Sequence, residues 1–436
     1  MSPMMWLYGL PLLMILAFYA WKRATIERES QQIFDEAVSS GMTEPASLHP
    51  VVDHRRCLGC ASCVSACPEK NVLGIIHTKA HLINPTHCIG HGACKKACPF
   101  NAIELVFGTE KRGVDIPQVG QDFQTNVPGI YIAGELGGMG LIRNAVTQGV
   151  KAVDCIYQTM SRSTDDRADG MLDLVIIGAG PAGIAASLAA NERKLKFVTL
   201  EQDSLGGTVS HYPRGKVVMT APAKLPIVGK MHFKETTKEA LMAFWEGIVE
   251  KTGLVINHNE GVASIESMDH GFHIKSSVRE YRSRAILLAI GRRGTPRKLG
   301  VPGEEKAKVV YRLIDPEQYK NQHVLVVGGG DSALEAAVSI SEEAGTTVTI
   351  SYRSEAFSRA KEKNRIKIAE AQKQGRLNVL MQSNVKQIED DKVVLTTPDD
   401  EVSIDNDAVI VCAGGILPTA FLKGIGINVE TKFGTV

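Results

Sequence analysis

The chain has 436 residues, 44% of them hydrophobic, which is enough to build the cores of about two to four domains. Its formal net charge of +1 gives no electrostatic argument for nucleic-acid binding. Seven of the nine cysteines lie between Cys57 and Cys98, and only Cys155 and Cys412 lie elsewhere. Because few thiols remain for disulfide pairing, the composition favours a reducing compartment.

Residues 1–23 are predicted to form a transmembrane anchor. The run 4–21 carries no charged residue, has aromatic residues near both ends, and is just long enough to cross a bilayer as a helix. Lys22 and Arg23 follow it, so the positive-inside rule places the bulk of the chain in the cytoplasm. We therefore expect a single-pass protein of the cell inner membrane. A cleaved signal peptide, which would need a basic start and a small-residue cleavage site, and a buried soluble helix are the alternatives.

Residues 24–48 are predicted to form a polar stalk helix followed by a linker. A narrow apolar stripe recurs at helical spacing, and it consists of Ile26, Ile33, Phe34, Ala37 and Val38. Pro45 and Pro50 mark the boundary with the next domain.

Residues 49–108 carry two cysteine runs with the spacing that binds iron–sulfur clusters. The first run reads C-x2-C-x2-C-x3-C-P, and the second repeats it with a histidine in the second position. The candidate ligands are Cys57, Cys60, Cys63, Cys67, Cys88, His91, Cys94 and Cys98. Structural zinc also uses C-x2-C pairs, but the third cysteine and the Cys-Pro ending of each run favour 4Fe–4S clusters.

This domain resembles the two-cluster ferredoxins of bacteria, in which the fourth cysteine of each run serves the other cluster. The resemblance implies that cluster one takes Cys57, Cys60, Cys63 and Cys98. It implies that cluster two takes Cys67, Cys88 and Cys94, with His91 filling the remaining position. A neutral imidazole in place of a thiolate should raise the reduction potential of cluster two. A three-iron cluster with His91 outside the ligand set is the alternative.

Residues 109–160 contain the stretch T-N-V-P-G-I-Y-I-A-G-E-L, which is followed by a helical pattern. The stretch resembles the closing flavin-binding segment of the thioredoxin-reductase-like flavoproteins. The resemblance implies that Gly134 and Glu135 bind the ribityl–pyrophosphate part of FAD, although the family usually has Asp at the second position. It also implies that the N-terminus of the following helix, around Ile142 to Ala145, faces the flavin ring.

Residues 171–297 begin with a dinucleotide-binding fingerprint in its full context of strand, turn and Ala-rich helix. Gly178 allows the tight turn, Gly180 the approach of the pyrophosphate, and Gly183 the packing of helix on strand. A second strand ends at Glu201, which is placed to bind the adenosine ribose. The resemblance assigns this unit to FAD. The loop that follows supplies candidate wall residues, namely His211, Tyr212 and Arg214.

Residues 298–407 contain a second fingerprint, whose three positions are Gly328, Gly330 and Ala333. Its second strand ends without an acid, and Arg353 and Arg359 lie where the family binds the adenosine 2′-phosphate. This pattern favours NADPH over NADH. A solvated basic face is the alternative interpretation of the arginines.

Residues 408–436 return the chain to the FAD domain, so the flavoprotein resembles a circularly permuted member of the family. Its closing segment, 109–160, comes before its opening one. If this is so, Val436 lies within about 20 Å of residues 109–114, since a few extended residues span no more.

The predicted fold is an α/β flavoprotein with two dinucleotide-binding domains, Rossmann-like FAD and NAD(P) domains. An α+β ferredoxin-like dicluster domain and an N-terminal transmembrane helix are added to it. Thioredoxin reductases carry a C-x2-C just before the second fingerprint, but residues 311–322 contain no cysteine. The chain is therefore more similar to the ferredoxin–NADP reductases of this group.

The predicted function is that of an NAD(P)H:acceptor oxidoreductase with FAD, NADP (or NAD) and two iron–sulfur clusters. No catalytic side chain is named, because the cofactors carry the chemistry. Electrons would pass between NADPH and a redox protein or quinone, in either direction, and no nucleic-acid partner is expected. The alternative is an electron-wiring or scaffold subunit without nicotinamide turnover of its own. A flavin monooxygenase is disfavoured, because oxygen chemistry would damage exposed clusters.

Overall fold

The computed structural model describes residues 3–434 except 40–42, 44, 46–47, 70, 89, 111–112, 139–140, 163–169, 213, 221, 234, 293 and 359; the side chains of 3–12, 162, 219 and 295 are also outside the description. The chain forms two compact units. The first consists of Met1–Val114, Ser358–Glu362 and Lys432–Val436, and the second of Asp115–Phe357 and Lys363–Thr431.

The first unit begins with a single helix, α1 (Pro3–Ser39). Its second half packs on the dicluster domain: Ser30 and Ala37 are buried, and Glu27 accepts a hydrogen bond from the His77 amide at 2.6 Å. Phe34 makes an edge contact with the His81 ring at 6.2 Å. Of the predicted apolar stripe, Ala37 is therefore buried and Ile33 and Phe34 are half-buried, whereas Ile26 and Val38 at its two ends are exposed.

The transmembrane anchor predicted for residues 1–23 is not supported. Among the residues that the structure describes, no helix is long and apolar enough to cross a membrane. The helix continues without a break through the charged residues Lys22 and Arg23.

The dicluster domain is built from two strand pairs and two short helices. Their bounds are β1 (His49–Val52), α2 (Ser62–Ala66), β2 (Leu73–Ile76), β3 (Lys79–Leu82), α3 (Ala93–Ala97) and β4 (Ile103–Val106). β1 pairs antiparallel with β4, and β2 with β3. The β2–β3 turn places His77 and Thr78 at positive φ, as a two-residue hairpin requires. Apolar residues from the strands pack around four buried cysteines, so the core of this domain surrounds the cluster positions.

The FAD domain of the second unit centres on a six-stranded sheet. The elements of this part of the chain are β5 (Val114–Pro117), β6 (Ile130–Ile132), α4 (Ile142–Arg162), β7 (Leu172–Ile177), α5 (Pro181–Glu192), β8 (Phe197–Leu200), β9 (Val217–Met219), β10 (Ala223–Leu225), β11 (Gly229–Met231), β12 (Glu235–Thr237), α6 (Lys238–Thr252), β13 (Val262–Met268), β14 (Gly271–Ser276) and β15 (Glu280–Leu288). The sheet order is β13–β14–β15–β7–β8, and β6 pairs in parallel with β15. The buried strands are rich in Val, Ile and Leu, as expected for a parallel sheet covered on both faces.

The nucleotide domain has a parallel five-stranded sheet with the strand order β17 (Val309–Val310), β24 (Ala408–Val411), β18 (His323–Val327), β19 (Thr347–Ser351) and β20 (Leu377–Leu380). The elements of the last third of the chain are β16 (Thr295–Pro296), β17 (Val309–Val310), β18 (His323–Val327), α7 (Asp331–Ser341), β19 (Thr347–Ser351), α8 (Glu362–Lys373), β20 (Leu377–Leu380), β21 (Asn384–Ile388), β22 (Lys392–Thr396), β23 (Glu401–Asp405), β24 (Ala408–Val411), β25 (Gly415–Ile416), α9 (Thr419–Gly424) and β26 (Val429–Lys432). β16 and β25 pair with each other, and β21–β23 form a separate antiparallel sheet.

The permuted order of the chain is visible in the strand pairing. β6 precedes β7 in sequence but lies on the other side of β15 in the same sheet. The last strand, β26, pairs with β5, and Thr431 donates to a carboxylate oxygen of Asp115 at 2.7 Å. Val436 lies outside the described residues, but the Gly434 amide donates to the Phe107 carbonyl at 2.9 Å. The two ends that the permutation created are therefore adjacent.

Candidate functional site

The FAD fingerprint forms a tight turn between β7 and α5. Gly178 has a φ of +103°, and a Cβ there would lie 2.6 Å from the Ala289 carbonyl oxygen. A Cβ on Gly183 would lie 1.8 Å from the Gly178 carbonyl oxygen, so only glycine allows the helix to approach the turn. Around Gly180, by contrast, a Cβ would meet no atom closer than Gly207 Cα at 3.9 Å. The N-terminal end of α5 is therefore open beside Gly180, which leaves room for a pyrophosphate.

Glu201 lies directly after β8 and is buried. One carboxylate oxygen accepts from the Ala179 amide at 2.7 Å, and the other from the Asp203 amide at 3.0 Å. The carboxylate thus links the end of the second strand to the glycine turn. This is the position from which an acid of this fold binds a ribose.

The segment that precedes the FAD domain in sequence forms a second wall of the same site. The Gly134 amide donates to Gln148 Oε1 at 2.8 Å, and a Cβ on Gly134 would lie 3.0 Å from Ala182 Cβ and 3.8 Å from Ala145 Cβ. A Cβ on Gly149 would lie 2.2 Å from the Ala182 carbonyl oxygen, so α4 and α5 cross in close contact. Gln148 and Gly149 were not singled out in the sequence, because their roles depend on this crossing.

Glu135 follows Gly134 and begins a short 3-10 helix, Glu135–Gly137. Its side chain is accessible to solvent, yet the surrounding protein desolvates the carboxyl and raises its pKa, while Arg292 acts in the opposite direction. A hydrogen-bond donor of a bound ligand would stabilise the carboxylate. Together with the open end of α5, these residues fit the dinucleotide that the fingerprint predicts.

The second fingerprint forms an equivalent turn between β18 and α7. A Cβ on Gly328 would lie 2.5 Å from the Cys412 carbonyl oxygen, Gly330 has no atom within 4 Å of such a position, and Ala333 is fully buried. A Cβ on Gly329 would lie 2.4 Å from the ring of Tyr352. This ring, which sequence reasoning missed, therefore packs directly on the glycine turn.

The end of β19 carries no carboxylate, as predicted from the sequence. The buried Ser351 hydroxyl lies 2.7 Å from that of Ser383. Arg353 is exposed two residues later, beyond Tyr352, which stacks on Phe357 at 5.5 Å. Arg359 lies outside the described residues. Arg353 is thus the described member of the predicted arginine pair, and its binding of a 2′-phosphate stays a prediction.

The predicted wall residues connect the two nucleotide-binding domains. His211 contacts Arg312 and lies 3.3 Å from Asp203. Arg214 approaches Asp315 at 3.7 Å, and the Tyr212 carbonyl accepts from Lys238 at 2.5 Å. Arg312 belongs to the segment where a thioredoxin reductase would carry its dithiol, so an arginine network occupies that segment here.

The structure brings the four predicted ligands of cluster one together although they are distant in sequence. Cys57, Cys60, Cys63 and Cys98 line one cavity, together with apolar residues that include Leu58 and Phe100. The Ala80 amide points at Cys57 Sγ at 3.4 Å and the Ala102 amide at Cys98 Sγ at 3.3 Å. Backbone donors of this kind stabilise negative charge on cluster sulfurs.

The thiols around this cavity have different environments. Burial raises the pKa of Cys63 to about 11, whereas the Ser62 hydroxyl and amide lower the pKa of the exposed Cys60. Since only thiolates bind the cluster, iron must overcome the high pKa of Cys63 when it binds.

The predicted ligands of cluster two also share one environment. Burial raises the pKa of Cys88 to about 11, and Cys94, Cys67 and Glu69 add to the effect, which places these groups within electrostatic range of one another. His91 belongs to this group, because Glu69 acts on its pKa as well.

His91 is suited to be a ligand. Its Nε2 is buried and makes no hydrogen bond with the described residues, and burial lowers the pKa of the ring. A neutral imidazole with an unpartnered buried nitrogen fits a metal ligand.

Among the described residues, no three His, Cys, Asp or Glu side chains gather closely enough to hold a single metal ion.

Comparison with known proteins decides the family. Residues 175–435 match the family described as pyridine nucleotide-disulphide oxidoreductase, and residues 49–99 match the 4Fe-4S dicluster domain. The chain belongs to the pyridine nucleotide-disulphide oxidoreductase family. The predicted fusion of this flavoprotein with a dicluster domain is confirmed, as are FAD, NADP and 4Fe–4S clusters as its cofactors and its class as an oxidoreductase.

Individual relatives are ferredoxin–NADP reductases and disulfide reductases. A ferredoxin–NADP reductase of Pediococcus pentosaceus is 34% identical over 199 residues, which cover 44% of this chain and 57% of that protein. A ferredoxin–NADP reductase of Picrophilus torridus is 31% identical over 270 residues, which cover 59% of this chain and 77% of that protein. The match thus spans little more than half of the Pediococcus relative.

A solved structure shows the same fold. The bacillithiol disulfide reductase of Staphylococcus aureus matches with a TM-score of 0.53 at 23% identity, covering 60% of this chain and 81% of that one. The predicted two-domain flavoprotein fold is therefore confirmed for this member of the oxidoreductase family.

His91→Cys in this oxidoreductase is expected to lower the reduction potential of cluster two by on the order of 100 mV, because a thiolate adds negative charge to the cluster. His91→Ala is expected to give a three-iron signal in place of a four-iron one. Redox titration followed by EPR measures both, with His270→Ala, an exposed residue of the turn between β13 and β14, as the control. A cluster two that responds to neither substitution would remove His91 from the ligand set.

Proposed function

We propose that this protein transfers electrons from NADPH through FAD and its own 4Fe–4S clusters to an external one-electron acceptor. The observation that carries the proposal is the fusion itself. A flavoprotein with two nucleotide sites and a domain with two cluster sites are parts of one chain. Bound flavin can take two electrons from a nicotinamide and release them one at a time, as cluster chemistry requires.

The residues of the chain bind and orient the cofactors. The α5 amides and Glu201 would hold the FAD diphosphate and adenosine ribose, and Gly134 lets the permuted segment approach from the other side. In the nucleotide domain, Gly330 leaves room for the NADPH pyrophosphate. No side chain has to donate or accept a proton in this scheme.

Disulfide reduction is not part of the proposal. The segment that would carry a dithiol presents Arg312 to His211 and Asp203 instead, and residues 311–322 contain no cysteine. We infer that electrons leave through the clusters instead. A histidine-ligated cluster two of raised potential would favour flow away from NADPH.

The test uses purified protein reconstituted with FAD and iron–sulfur clusters under anaerobic conditions. NADPH should bleach the flavin absorbance, and the EPR signals of reduced clusters should follow. If NADPH and NADH both leave the flavin oxidised while dithionite reduces the clusters, the protein is an electron-wiring subunit and not a nicotinamide oxidoreductase. Oxygen-dependent oxidation of a small substrate would indicate a monooxygenase.

Arg353→Ala is expected to raise KM for NADPH about 10- to 100-fold and KM for NADH less than threefold, because a lost charge-assisted hydrogen bond affects only the 2′-phosphate. Ferricyanide reduction at varied nucleotide concentration measures both constants. Arg376→Ala, which removes an arginine near Glu342 of the same domain, is the control. An equal rise for both nucleotides would assign Arg353 a role other than 2′-phosphate recognition.

Attachment to the inner face of a bacterial inner membrane is also part of the proposal, and it rests on residues 4–23 of the sequence. In α1, large apolar side chains between Leu13 and Trp21 are exposed to solvent, and lipid would cover them favourably. The full chain should sediment with membranes and resist a carbonate wash, whereas a chain lacking residues 2–22 should not. A full chain found in the supernatant would contradict this part of the proposal.

A further inference from the structure

One of the two cluster sites reaches the protein surface. Cys60, a predicted ligand of cluster one, is exposed, whereas the predicted cysteine ligands of cluster two are buried or half-buried. Solvent exposure of a ligand shortens the path between a cluster and any molecule that docks above it. Cluster one is therefore the better placed site for exchange with an external carrier.

Apolar side chains surround this opening. Leu58 and Phe100 line the cluster-one cavity together with Cys60, and yet they are 64% and 41% exposed. Large apolar residues that are exposed side by side around a functional group mark an interaction site more often than scattered ones do. Leu58 and Phe100 would give a docking partner an apolar contact that excludes water above the cluster.

Positive charge borders the same surface. Arg55 and Arg56 precede Cys57 and Leu58 in the same loop, and both are exposed. Asp53 is the nearby carboxylate: it lies 3.4 Å from Arg56 and accepts from the Arg55 amide. Lys79 donates to the Cys57 carbonyl at 2.6 Å. A bound cluster places negative charge behind Cys60, in the middle of this surface. A partner's carboxylates would therefore pair with Arg55 and Arg56 at its edge.

We propose that Arg55, Arg56, Leu58, Cys60 and Phe100, the cluster-one face, form the docking surface for a small one-electron carrier protein. The carrier would have an apolar contact patch edged with carboxylates. One electron leaves reduced cluster one, which becomes oxidised, and reduces the carrier; no bond or proton changes. A partner that combines apolar contact with charge pairing fits the weak, transient contacts that are typical of electron transfer. The proposal rests on the proposed function, in which electrons pass through the clusters.

The test needs no NADPH, so its outcome is separate from that of the proposed function. An acidic plant-type [2Fe–2S] ferredoxin serves as the probe. Its binding to the reconstituted full chain is measured by biolayer interferometry, and electron exchange by stopped-flow mixing of reduced probe with oxidised protein at low and high salt. Iron content and the cluster EPR signals confirm that each variant is intact.

The variant Arg55→Glu/Arg56→Glu is expected to lower the association rate constant at least tenfold at low salt and to weaken its salt dependence. Leu58→Asp should lower the association rate constant at least tenfold at both salt concentrations, because it replaces an apolar contact with a charge. The matched control is Lys95→Glu/Lys96→Glu, which makes the same charge change on exposed residues of α3 and should change the rate constant less than threefold.

Three results would overturn the proposal. The first is a control variant that impairs the reaction as much as the arginine variant does. The second is unchanged binding and exchange after both cluster-one-face changes. The third is a protein that never binds the ferredoxin but, when reduced by dithionite, is rapidly oxidised by decylubiquinone, which would make the acceptor a quinone.

Discussion

Gly183→Ala is expected to abolish FAD binding and to destabilise the folded FAD domain by more than about 3 kcal/mol. The new methyl group would lie 1.8 Å from the Gly178 carbonyl oxygen, and both groups are backbone-fixed in a buried site. Helix α5 would therefore have to move away from β7, which disrupts the turn that presents its amides. The FAD content of the purified protein and its thermal unfolding measure the two effects.

Two glycine controls separate strain from the general effect of an added methyl. Gly247→Ala, on the exposed side of α6 with no atom within 4 Å of the new Cβ, should stabilise the protein by about 0.5 kcal/mol. Gly180→Ala has room for its methyl in the protein and should fold, but it should bind FAD more weakly. A Gly183→Ala protein with full FAD content and unchanged unfolding would refute the close packing of α5 on the turn.

Cys98→Ser is expected to remove cluster one while leaving cluster two, although Cys98 belongs to the second cysteine run. The reason is that Cys98 lines the same cavity as Cys57, Cys60 and Cys63. Iron content should fall by about half, since each cluster holds the same number of irons. Iron and sulfide analysis, with EPR of the dithionite-reduced protein, measures the loss.

The comparison of variants identifies which cluster is lost. Cys98→Ser and Cys60→Ser should remove the same EPR signal, whereas Cys67→Ser should remove the other one together with Cys88→Ser. Cys155→Ser, which changes a cysteine of α4 outside both sites, should keep both signals. If Cys98→Ser and Cys88→Ser instead share a lost signal, each cluster takes its ligands from one run and the crossed arrangement is wrong.

Local patterns predicted much of this fold. A glycine fingerprint works because three positions within six residues have to accommodate a tight turn and a close helix, so residues such as Gly178 and Gly183 are recognisable without any tertiary information. The cysteine runs are recognisable for the same reason. The absence of an acid at the end of β19 is equally local, because the strand and its last residues are contiguous.

Other residues of the site could not be predicted from local patterns. Gln148 and Gly149 acquire their roles where α4 crosses α5, and Tyr352 where its ring covers Gly329. Arg312 meets His211 across 101 positions of the chain. Each of these contacts depends on packing between elements that are distant in sequence. A pattern of spacing cannot specify such contacts.

The sequence alone determined the cofactor classes and the family, because cluster and dinucleotide ligands lie in short motifs with fixed spacing. The tertiary structure decided which residues surround one site. It brought Cys98 to the first cysteine run, placed β6 beside β15 despite its early position, and left Cys60 exposed between Leu58 and Phe100. Exposure and long-range pairing result from how whole elements pack, so they follow from the folded chain and not from any one segment of it.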